Sequence, residues 1–330
     1  MPITLAEMKV GMEDKVAQQV VDTFLRESEI LQMMPFDNCV SPSGGSTLTY
    51  AYTQTKLPSV AGFRTLNAEY EANQATIERK HADLKIFGGK FSMDRVLKQS
   101  EGRFNNMAFQ MEQKIRSAVT LFHNTMINGN ATTNEAEFDG LDKMLVGTST
   151  EFGTSAVVDL SNIAALKANA DEFYELLQNL ICATNADALL MNTQMLGKIQ
   201  TVARILGYKT ESEEAFGKKV VSMDGVRFID MLNHYTVAEN AAVANSVVKG
   251  GLTRTVGGSE ATGLTDIYAV KFDVNEGFHG ATLTGSSGLS TYLPDFTQPG
   301  AVKDGEVEMV AATILKNTAH AGVLRNVKTA

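Results

Sequence analysis

Several chemically informative features are scarce in this sequence. It has no tryptophan, and its two cysteines, Cys39 and Cys182, lie far apart without a Cys-x-x-Cys pair. Such isolated thiols are typical of a reducing compartment, and we expect both to be small buried residues rather than a disulfide or a nucleophile. No apolar run approaches the ~20 residues that span a bilayer. Residues 1–15 also lack the basic and apolar regions of a secretory signal.

The charge balance argues against tight nucleic-acid binding. The chain has 29 Lys and Arg against 38 Asp and Glu, a formal net charge of -9, and its basic residues are scattered. Proteins that grip phosphate backbones present basic clusters. An acidic chain can still lie beside nucleic acid without adhering to it. The 44% hydrophobic and 20% charged residues are typical of a globular protein, and 330 residues suffice for one large or two ordinary domains.

Phosphate-binding and metal-binding patterns are not found in this sequence. A GxxxxG stretch runs from Gly258 to Gly263, but Leu264 and Thr265 follow where a phosphate-binding loop needs Lys and then Ser or Thr. The histidines are isolated in sequence, so we expect packed or solvated side chains rather than ligands. They are His81, His123, His234, His279 and His320.

The carboxylates suggest surfaces rather than an active site. Glu306 and Glu308 would share one face of a strand, where like charges are unfavourable unless a cation lies nearby. That cation could be a Lys or Arg of a partner subunit, or the pair could simply be hydrated. We therefore predict no catalytic residue, no cofactor-binding residue, no cofactor and no metal ligand, and we predict that the chain is not an enzyme.

An extended arm is predicted near the amino end. Residues 44–60, GGSTLTYAYTQTKLPSV, place Leu48, Tyr50 and Tyr52 on one side of a strand. A segment with neither strand nor helix periodicity follows, and a second extended run, ATIERKHADLKIF, begins at Ala75. Because a two-stranded hairpin is marginal alone, the pattern favours an arm that rests on a surface, one that can belong to another molecule. The pair Gly88 and Gly89 predicts a bulge or bend.

Helical periodicity is clearest in GRFNNMAFQMEQKIRSAVTLFHNTMING. The pattern predicts a helix of roughly 40 Å that begins after an N-cap at Ser100 and ends at Gly129. Its apolar stripe comprises Phe104, Met107, Ala108, Met111, Ile115, Val119, Phe122 and Met126. Residues 5–34 are also predicted to be helical as far as Pro35, with a loop over 37–45.

Alternating helices and strands over 150–285 predict a compact α/β unit. The expected helices are Asn162–Ala170, Glu172–Cys182 and Thr193–Leu206. The expected strands are ADALLMN, VRFIDM and TDIYAVKF, while KGGLTRTVGGSEATG is predicted to be an exposed loop. The end reads as a strand pair, STYLPDFTQPG and GEVEMVAATILKN, before a closing HAGVLRNVK. VAATIL is apolar on both sides, so we expect a strand buried on both faces, on which the long helix packs.

In this order of elements the sequence resembles the major capsid proteins of tailed bacteriophages, which have the Hong Kong 97 type fold. STLTYAYTQ is similar to the outgoing E-loop strand, and IERKHADLKIFGGKFSMDRV to its return into the P-domain. FNNMAFQMEQKIRSAVTLFHNTMINGN, with FDGL after it, resembles the spine helix. TDIYAVKFDVNEGFHGATL and GEVEMVAATILKNTAHAGVLRN resemble the end of the A-domain and the final P-domain strand. The resemblance covers nearly the whole chain.

The resemblance implies an α+β class: a Hong Kong 97-like capsid fold with an N-arm, an extended E-loop hairpin, a P-domain with a long spine helix, and an α/β A-domain. The implied divisions are an N-terminal arm or helix (1–40), the E-loop (41–92), the P-domain spine helix (93–144), the A-domain (145–285) and returning P-domain strands (286–330).

The resemblance also implies a function. The chain is expected to be a structural subunit that self-assembles into hexamers and pentamers of an icosahedral phage head around double-stranded DNA, which it does not bind specifically. The virion capsid is its implied location, after synthesis in the host bacterial cytoplasm, with no membrane contact. Implied partners are further copies, a portal, and scaffold and decoration proteins.

Two family features do not transfer directly. Some members carry a long N-terminal scaffolding segment that a protease removes. Here helical periodicity begins within a few residues of Met1, so we expect a separate scaffold or none. Some members crosslink a loop Lys to an Asn of a neighbour. Lys56 lies in the arm, but no matching Asn or assisting acid is evident, so Lys56 is expected to be an ordinary solvated side chain.

Three alternatives stay open at this point. An encapsulin-like bacterial compartment would have the same fold and enclose cargo enzymes instead of DNA. A globular α/β enzyme would need a convergent polar pocket, and the sequence shows no constellation to build one. A tail or baseplate protein would assemble into tubes or rings, so particle shape would separate it from a shell protein.

Overall fold

The computed structural model describes residues 29–39, 47–99, 106–207, 211–215, 218–223, 225–238, 241–283 and 289–330. The helices are α1 (Glu29–Met33), α2 (Arg95–Gln99), α3 (Asn106–Asn128), α4 (Leu141–Met144), α5 (Ile163–Thr184) and α6 (Thr193–Leu206), with a 3-10 turn at Thr318–His320. None of the helices in this described part combines the length and apolarity that a bilayer crossing requires.

The strands are β1 (Phe36–Asn38), β2 (Thr49–Leu57), β3 (Thr76–Asp83), β4 (Lys85–Asp94), β5 (Glu151–Phe152), β6 (Val158–Asp159), β7 (Ala188–Met191), β8 (Glu211–Ala215), β9 (Lys218–Met223), β10 (Val226–Asp230), β11 (Asn233–Ala238), β12 (Ala241–Ser246), β13 (Leu252–Val256), β14 (Ser259–Val270), β15 (Phe278–Thr282), β16 (Leu289–Tyr292), β17 (Val302–Leu315) and β18 (Ala321–Lys328). They form a five-stranded sheet, a nine-stranded sheet and two hairpins, β2–β3 and β11–β12.

The five-stranded sheet is organised around β17. Along its first ten residues β17 pairs antiparallel with β4, from Val302 opposite Asp94 to Ala311 opposite Lys85. It also pairs antiparallel with β15 and β16, and β1 adds to β15 in parallel. Ala311–Leu315 is entirely buried, which confirms the expectation of a strand covered on both faces.

Helix α3 packs on one face of this sheet, as the apolar stripe predicts. Its buried residues share one core with β4 and β17, and they include Met111, Ile115, Val119, Phe122 and Met126. Phe122 lies at the centre, with ring centroids 6.2 Å from Phe36, 6.0 Å from Phe87 and 5.8 Å from Phe138. At 23 residues the described helix is about 34 Å long.

The ends of two predicted helices need comment. Ala108 belongs to the predicted stripe of α3 but is exposed, so the stripe prediction is wrong at that residue. Ser100 and Phe104 lie outside the described residues, as do residues 1–28 of the predicted amino-terminal helix. The described remainder of that helix, α1, ends at Met33 just before Pro35.

The nine-stranded sheet runs in the order β5-β18-β14-β7-β10-β9-β8, with β6 on β18 and β13 on β14. Alternate residues of its central strands enter different cores. In β7, Ala188 and Leu190 face the core that contains α3, whereas Leu189 and Met191 pack with α5 and α6. The same alternation holds in β14 from Ile267 onward and in β18 as far as Leu324, so these strands are buried on both faces.

Four predictions from the sequence are wrong in detail. The helices expected on either side of Asp171 form one helix, α5, because its buried stripe continues across that position through Ala170 and Phe173. The glycine-rich KGGLTRTVGGSEATG is not a loop throughout. It contains β13 and the start of β14, joined by a turn at Gly257 and Gly258, both at positive φ.

The expected bulge at the glycine pair is also wrong, because β4 pairs with β17 without a register shift. A Cβ at Gly88 would collide with the Val307 carbonyl oxygen, and one at Gly89 would lie 3.2 Å from the Lys114 side chain of α3. Close approach therefore explains both glycines. The loop expected over 37–45 begins within β1, which pairs with β15, and residues 40–46 lie outside the described residues.

A largely buried ion cluster links the segment that follows α3 to the nine-stranded sheet. Arg325 of β18 donates from Nε to Glu151, and its Nη1 lies 2.6 Å from Asp142 and 3.3 Å from Asp266. Arg254 donates two 2.6 Å hydrogen bonds to the Asp266 carboxylate. Burial by itself lowers the pKa of Arg325, but the surrounding carboxylates outweigh it and hold that pKa above its ordinary value. The cluster thus ties the segment after α3 to β14 and β18.

Substituting Met111→Asp tests the packing of α3. The side chain is buried between the helix and the sheet, so the variant would place an unpaired carboxylate in the apolar core. We expect a loss of at least about 3 kcal/mol of unfolding free energy, measured by urea denaturation. Gln113→Asp, on the exposed side of the same helix, is the control and should change stability little. Equal stability of the two variants would contradict the packing.

Substituting Arg325→Met tests the ion cluster. Removing the shared cation leaves Glu151 and Asp266, which are largely buried, short of a partner. We expect a loss of about 3 kcal/mol or more, because breaking a buried pair strands a desolvated charge. Arg116→Met removes an exposed pair with Glu112 and should cost less than about 0.5 kcal/mol. A small effect at Arg325 would show that the cluster does not stabilise the fold.

Candidate assembly interface

The histidines lie on different elements and do not converge. They are His81 on β3, His123 on α3, His234 on β11, His279 on β15 and His320 in the 3-10 turn. His279 is fully buried, and His320 lies 3.5 Å from the Glu276 carboxylate. Within the described residues, no three His, Cys, Asp or Glu side chains are arranged to hold a metal ion.

The remaining sequence candidates also separate. Gly258 lies in the β13–β14 turn and Gly263 within β14, so a strand rather than a helix N-terminus follows. The cysteines are free thiols, but only Cys39 is partly buried. Cys182 lies exposed on α5, so the expectation of two buried cysteines is wrong there. Lys56 is exposed at the irregularity between Thr55 and Leu57 in β2.

The arm, defined here as residues 47–83, is the strongest candidate for a functional surface. Its strands β2 and β3 pair antiparallel from Thr49 opposite Asp83 to Leu57 opposite Thr76, and residues 58–75 connect them without regular structure. Among the described strands, none pairs with either outer edge of this hairpin. Every residue from Thr55 to His81 is exposed. The predicted extended hairpin therefore exists, and most of it touches nothing else in the described molecule.

Large apolar side chains crowd this exposed segment. Phe63 is fully exposed, and Leu66 is 89% exposed. The others are Leu57, Val60, Tyr70 and Ile77, each more than half exposed. Scattered exposed apolar residues are ordinary, but a group of this size within one projecting hairpin marks an interaction surface.

The tip of the arm is ordered by its own polar contacts. Asn73 accepts a hydrogen bond from the backbone N–H of Val60 at 2.9 Å and donates one to its carbonyl at 2.6 Å. Arg64 donates to the Ala68 carbonyl at 3.3 Å, and its guanidinium lies 5.4 Å from the Tyr70 ring centre. These contacts shape the connection and leave its apolar side chains outward.

Tyr50 anchors the root of the arm. Its hydroxyl donates to Asp37 of β1 at 2.7 Å, and its ring meets the buried His279 edge-on at 5.7 Å. The ammonium of Lys316 lies 5.3 Å from the same ring. Burial, followed by the hydrogen bond to the Asp37 carboxylate, raises the pKa of Tyr50, so the hydroxyl stays protonated as the donor.

Further backbone contacts continue the root. Tyr52 donates to the carbonyl of Leu315, the last residue of β17, at 3.3 Å. The N–H of Leu84, which joins β3 to β4 and is buried, donates to the Leu48 carbonyl at 2.7 Å. The alternation of Tyr50 and Tyr52 predicted their shared face. Their partners come from segments distant in sequence, and no sequence pattern identified them.

A pH dependence of stability is expected from His279. Burial first, and then the positive charge of Lys316, lower its pKa below the ordinary 6.5, against weaker opposing effects of Gly277, Asp37 and Asp273. Below pH 6.5 the unfolded chain therefore takes up a proton that the folded chain resists. Stability should fall by up to about 2 kcal/mol between pH 6.5 and 5 through this residue.

The variant His279→Phe should lose less stability over that pH range than the wild type, in urea denaturation at each pH. His81→Phe is the matched control, because His81 is exposed on the arm, and its pH profile should follow the wild type. Identical profiles for all three proteins would show that His279 does not carry this dependence.

Comparison with known proteins identifies structures that have a similar fold. No family model and no curated protein matches this sequence. Among solved structures, the model matches an encapsulin complex from Synechococcus elongatus at a TM-score of 0.56 and 11% identity, over 91% of this chain and 87% of that one. It matches the capsid of a native GTA particle at 0.56 and 12%, over 91% and 90%, and a structure titled Mycobacterium phage Bobi at 0.55 and 12%, over 92% and 90%.

Sequence identities of 11% to 12% show a shared fold and do not show a shared activity. The matches extend along nearly the full length of each compared chain, so the similarity concerns the whole arrangement of sheets and helices. The resemblance drawn from the sequence is thereby confirmed for the fold: this chain has the Hong Kong 97 type fold of capsid shell proteins.

Proposed function

We propose that this chain is a structural subunit that self-assembles into hexamers and pentamers of an icosahedral phage head enclosing double-stranded DNA. The observation that carries the proposal is the arm, whose residues from Thr55 to His81 are all exposed and include six large apolar side chains. A two-stranded hairpin with that surface is marginal in water by itself. It gains stability when it is laid on another molecule.

A second copy of the chain is the partner that this arrangement favours. One arm per subunit, placed on a different surface of the next subunit, makes a heterologous contact. Repeated contacts of that kind close into rings or shells when the rotation permits. Edge strands left open would otherwise invite uncontrolled pairing, so a defined neighbour also protects them.

The capsid fold suggests a role for each part. We assign β2, β3 and their connection to the E-loop, α3 to the spine helix, the five-stranded sheet to the P-domain, and the α5–α6 side with the nine-stranded sheet to the A-domain. The divisions expected from the sequence serve as the proposed boundaries, with two exceptions. Strands β1, β4 and β15 go with the P-domain sheet, and β18, which pairs with β14, goes with the A-domain sheet. Most of the amino-terminal arm expected over 1–40 lies outside the described residues.

The net charge of -9 supports a shell around DNA, because an acidic wall does not adhere to the packaged phosphate backbone. A compartment for cargo enzymes is the second candidate, since the encapsulin match equals the match to the GTA capsid in TM-score. A phage subunit would reside in the virion and would meet portal, scaffold and decoration proteins. An encapsulin-like subunit would instead be found with host enzymes.

Electron microscopy of the purified, expressed protein tests the proposal. Closed shells or capsomers support it, tubes would indicate a tail protein, and monomers at all concentrations would overturn it. Nucleic acid in shells from infected or lysogenic cells, measured by absorbance and nuclease protection, supports the phage head. Co-purified enzymes without nucleic acid support the compartment.

Replacing residues 57–74 with an Asn-Gly turn should give a folded protein that does not assemble. The removed residues are exposed, so circular dichroism and the melting temperature should stay close to the wild type. Light scattering and electron microscopy should show monomers, because most of the exposed apolar surface of the arm is lost.

Two point-variant proteins refine this test. Phe63→Ser with Leu66→Ser should weaken assembly while keeping the hairpin. The control, Val146→Ser with Ile163→Ser, removes two exposed apolar side chains outside the arm and should assemble normally. Closed shells from the shortened protein would show that the arm is not the assembly element.

A further inference from the structure

The side chain of His279, at the root of the arm, has one ring nitrogen that the fold leaves without a partner. The residue lies on β15 and is fully buried. Its Nδ1 lies 3.4 Å from the Gly277 carbonyl oxygen, whereas its Nε2 has no hydrogen-bond partner among the described residues. Most buried polar atoms are paired, so this nitrogen requires a physical explanation.

The contacts of the ring fit a neutral imidazole. A carbonyl oxygen can only accept, so Nδ1 carries the proton and Nε2 is the basic nitrogen. Protonation at Nε2 would add a positive charge and, with it, a buried N–H donor that has no acceptor. Both changes are costly inside a protein, and burial accordingly lowers the pKa of His279.

The nearby charges add to this cost. Three charged groups act on the ring, namely Lys316 after β17, Asp37 on β1 and Asp273 in the loop before β15. The ammonium of Lys316 has the largest effect of the three and opposes a second positive charge. That ammonium is held in place by a 2.7 Å hydrogen bond to the Val274 carbonyl.

The two carboxylates are engaged elsewhere. Asp37 accepts the Tyr50 hydroxyl at 2.7 Å with one oxygen and the backbone N–H of Asn38 at 2.8 Å with the other. Asp273 accepts the backbone N–H of Asn275 at 3.1 Å. A protonated His279 therefore has no free carboxylate to pair with while the root is closed.

The arm root is the part of the cover that can lift at the least cost. Strand β15 is held in its sheet by backbone pairing with β1 and β17. Among the described strands, β2 and β3 pair only with each other. The root is attached instead by the hydroxyls of Tyr50 and Tyr52 and by the partial burial of their rings. Few contacts must break for the Tyr50 ring, which meets His279 edge-on at 5.7 Å, to move away.

We propose that His279 is an acid-sensitive joint for the arm: protonation at Nε2 lifts the arm root, with Tyr50, away from β15 while the two larger sheets stay folded. Opening lets water solvate the charged ring, which the closed root prevents. The closed root, with Tyr50 bonded to Asp37, gives the arm a fixed direction. Acid therefore removes that fixed direction before it unfolds the chain.

The direction of the pH response follows from the two states. The closed root resists the proton, whereas the open root lets His279 titrate near its ordinary pKa of 6.5. The open fraction therefore stays constant above that pH and rises below it, by at most about tenfold for each pH unit. A loosened arm would weaken the proposed contact between copies, but the joint lies within one subunit and is measured there.

The two cysteines provide a readout in the full-length chain. Cys39 is partly buried against the same core and lies beside Tyr50, whereas Cys182 is exposed on α5 and serves as the internal reference. The rate at which a dipyridyl disulfide modifies Cys39, divided by the rate for Cys182, is measured by mass spectrometry. This ratio should rise about tenfold between pH 7 and pH 5 while the far-ultraviolet circular dichroism stays unchanged.

Three variant proteins separate the joint from a general effect of acid. His279→Phe keeps an aromatic ring that cannot take up a proton, so its ratio should stay constant between pH 7 and pH 5. Tyr50→Phe removes the hydrogen bond to Asp37 and should raise the ratio about tenfold already at pH 7. His81→Phe is the matched control, because His81 is exposed on the arm, and its ratio should follow the wild type.

The contrary outcomes are distinct. A constant ratio in the wild-type chain, or an equal rise in His279→Phe, would overturn the joint, and so would a rise that accompanies loss of circular dichroism. Should His279→Phe fail to fold, Lys316→Met decides: without that cation the closed root tolerates the proton better, so the rise should be smaller, and an undiminished rise would overturn the joint. A chain that stays monomeric would overturn the proposed shell function, whereas the ratio would still decide the joint.

Discussion

The antiparallel pairing of β4 with β17 is the interaction on which the rest of the structure depends. It joins segments more than 200 residues apart in sequence and builds the sheet on which α3 packs. The arm continues from β4 through the single buried residue Leu84, so the hairpin projects from the edge of this pairing. Loss of the β4–β17 ladder would release together the arm, the long helix and the sheet face that carries Glu306 and Glu308.

Two cores share the strands between them. Because β7, β14 and β18 are buried on both faces, the packing of α3 on one side and of α5 and α6 on the other is coupled through the same backbone. The ion cluster around Arg325 lies where the segment after α3 meets this sheet. Its charges are largely removed from solvent, so the geometry of that junction is held by directional contacts as well as by apolar burial.

The chemistry of this molecule lies on its surfaces. Its histidines and cysteines do not converge in the described part of the chain, and the carboxylates that do converge, Asp142, Glu151 and Asp266, are held by Arg325. Exposed apolar side chains concentrate on one hairpin, and carboxylates line one sheet face. Tyr50, whose pKa burial raises, and His279, whose pKa burial lowers, hold the root of that hairpin. The matched shell structures have this architecture at 11% to 12% identity, so the fold tolerates nearly complete replacement of side chains.

The sequence by itself determined the local elements: the long helix from its apolar stripe, α6 from its periodicity, the arm from its alternating tyrosines, and β7, β10 and β17 from their apolar runs. These signals are local, since a helix or strand period is written in neighbouring residues. The capsid-like order of elements was readable for the same reason. Glycine-rich stretches misled, because glycine serves both turns and close strand contacts, as at Gly88 and Gly257.

Only the tertiary structure decided which distant groups meet. The partners of Tyr50, the carboxylates around Arg325 and the pairing of Asp304 with Lys90 each join residues from separate segments. No periodicity encodes such contacts, because they depend on the register of long-range strand pairing. The same register places Gly88 opposite Glu308 and Lys90 opposite Glu306, so the two glutamates expected on one face have different surroundings.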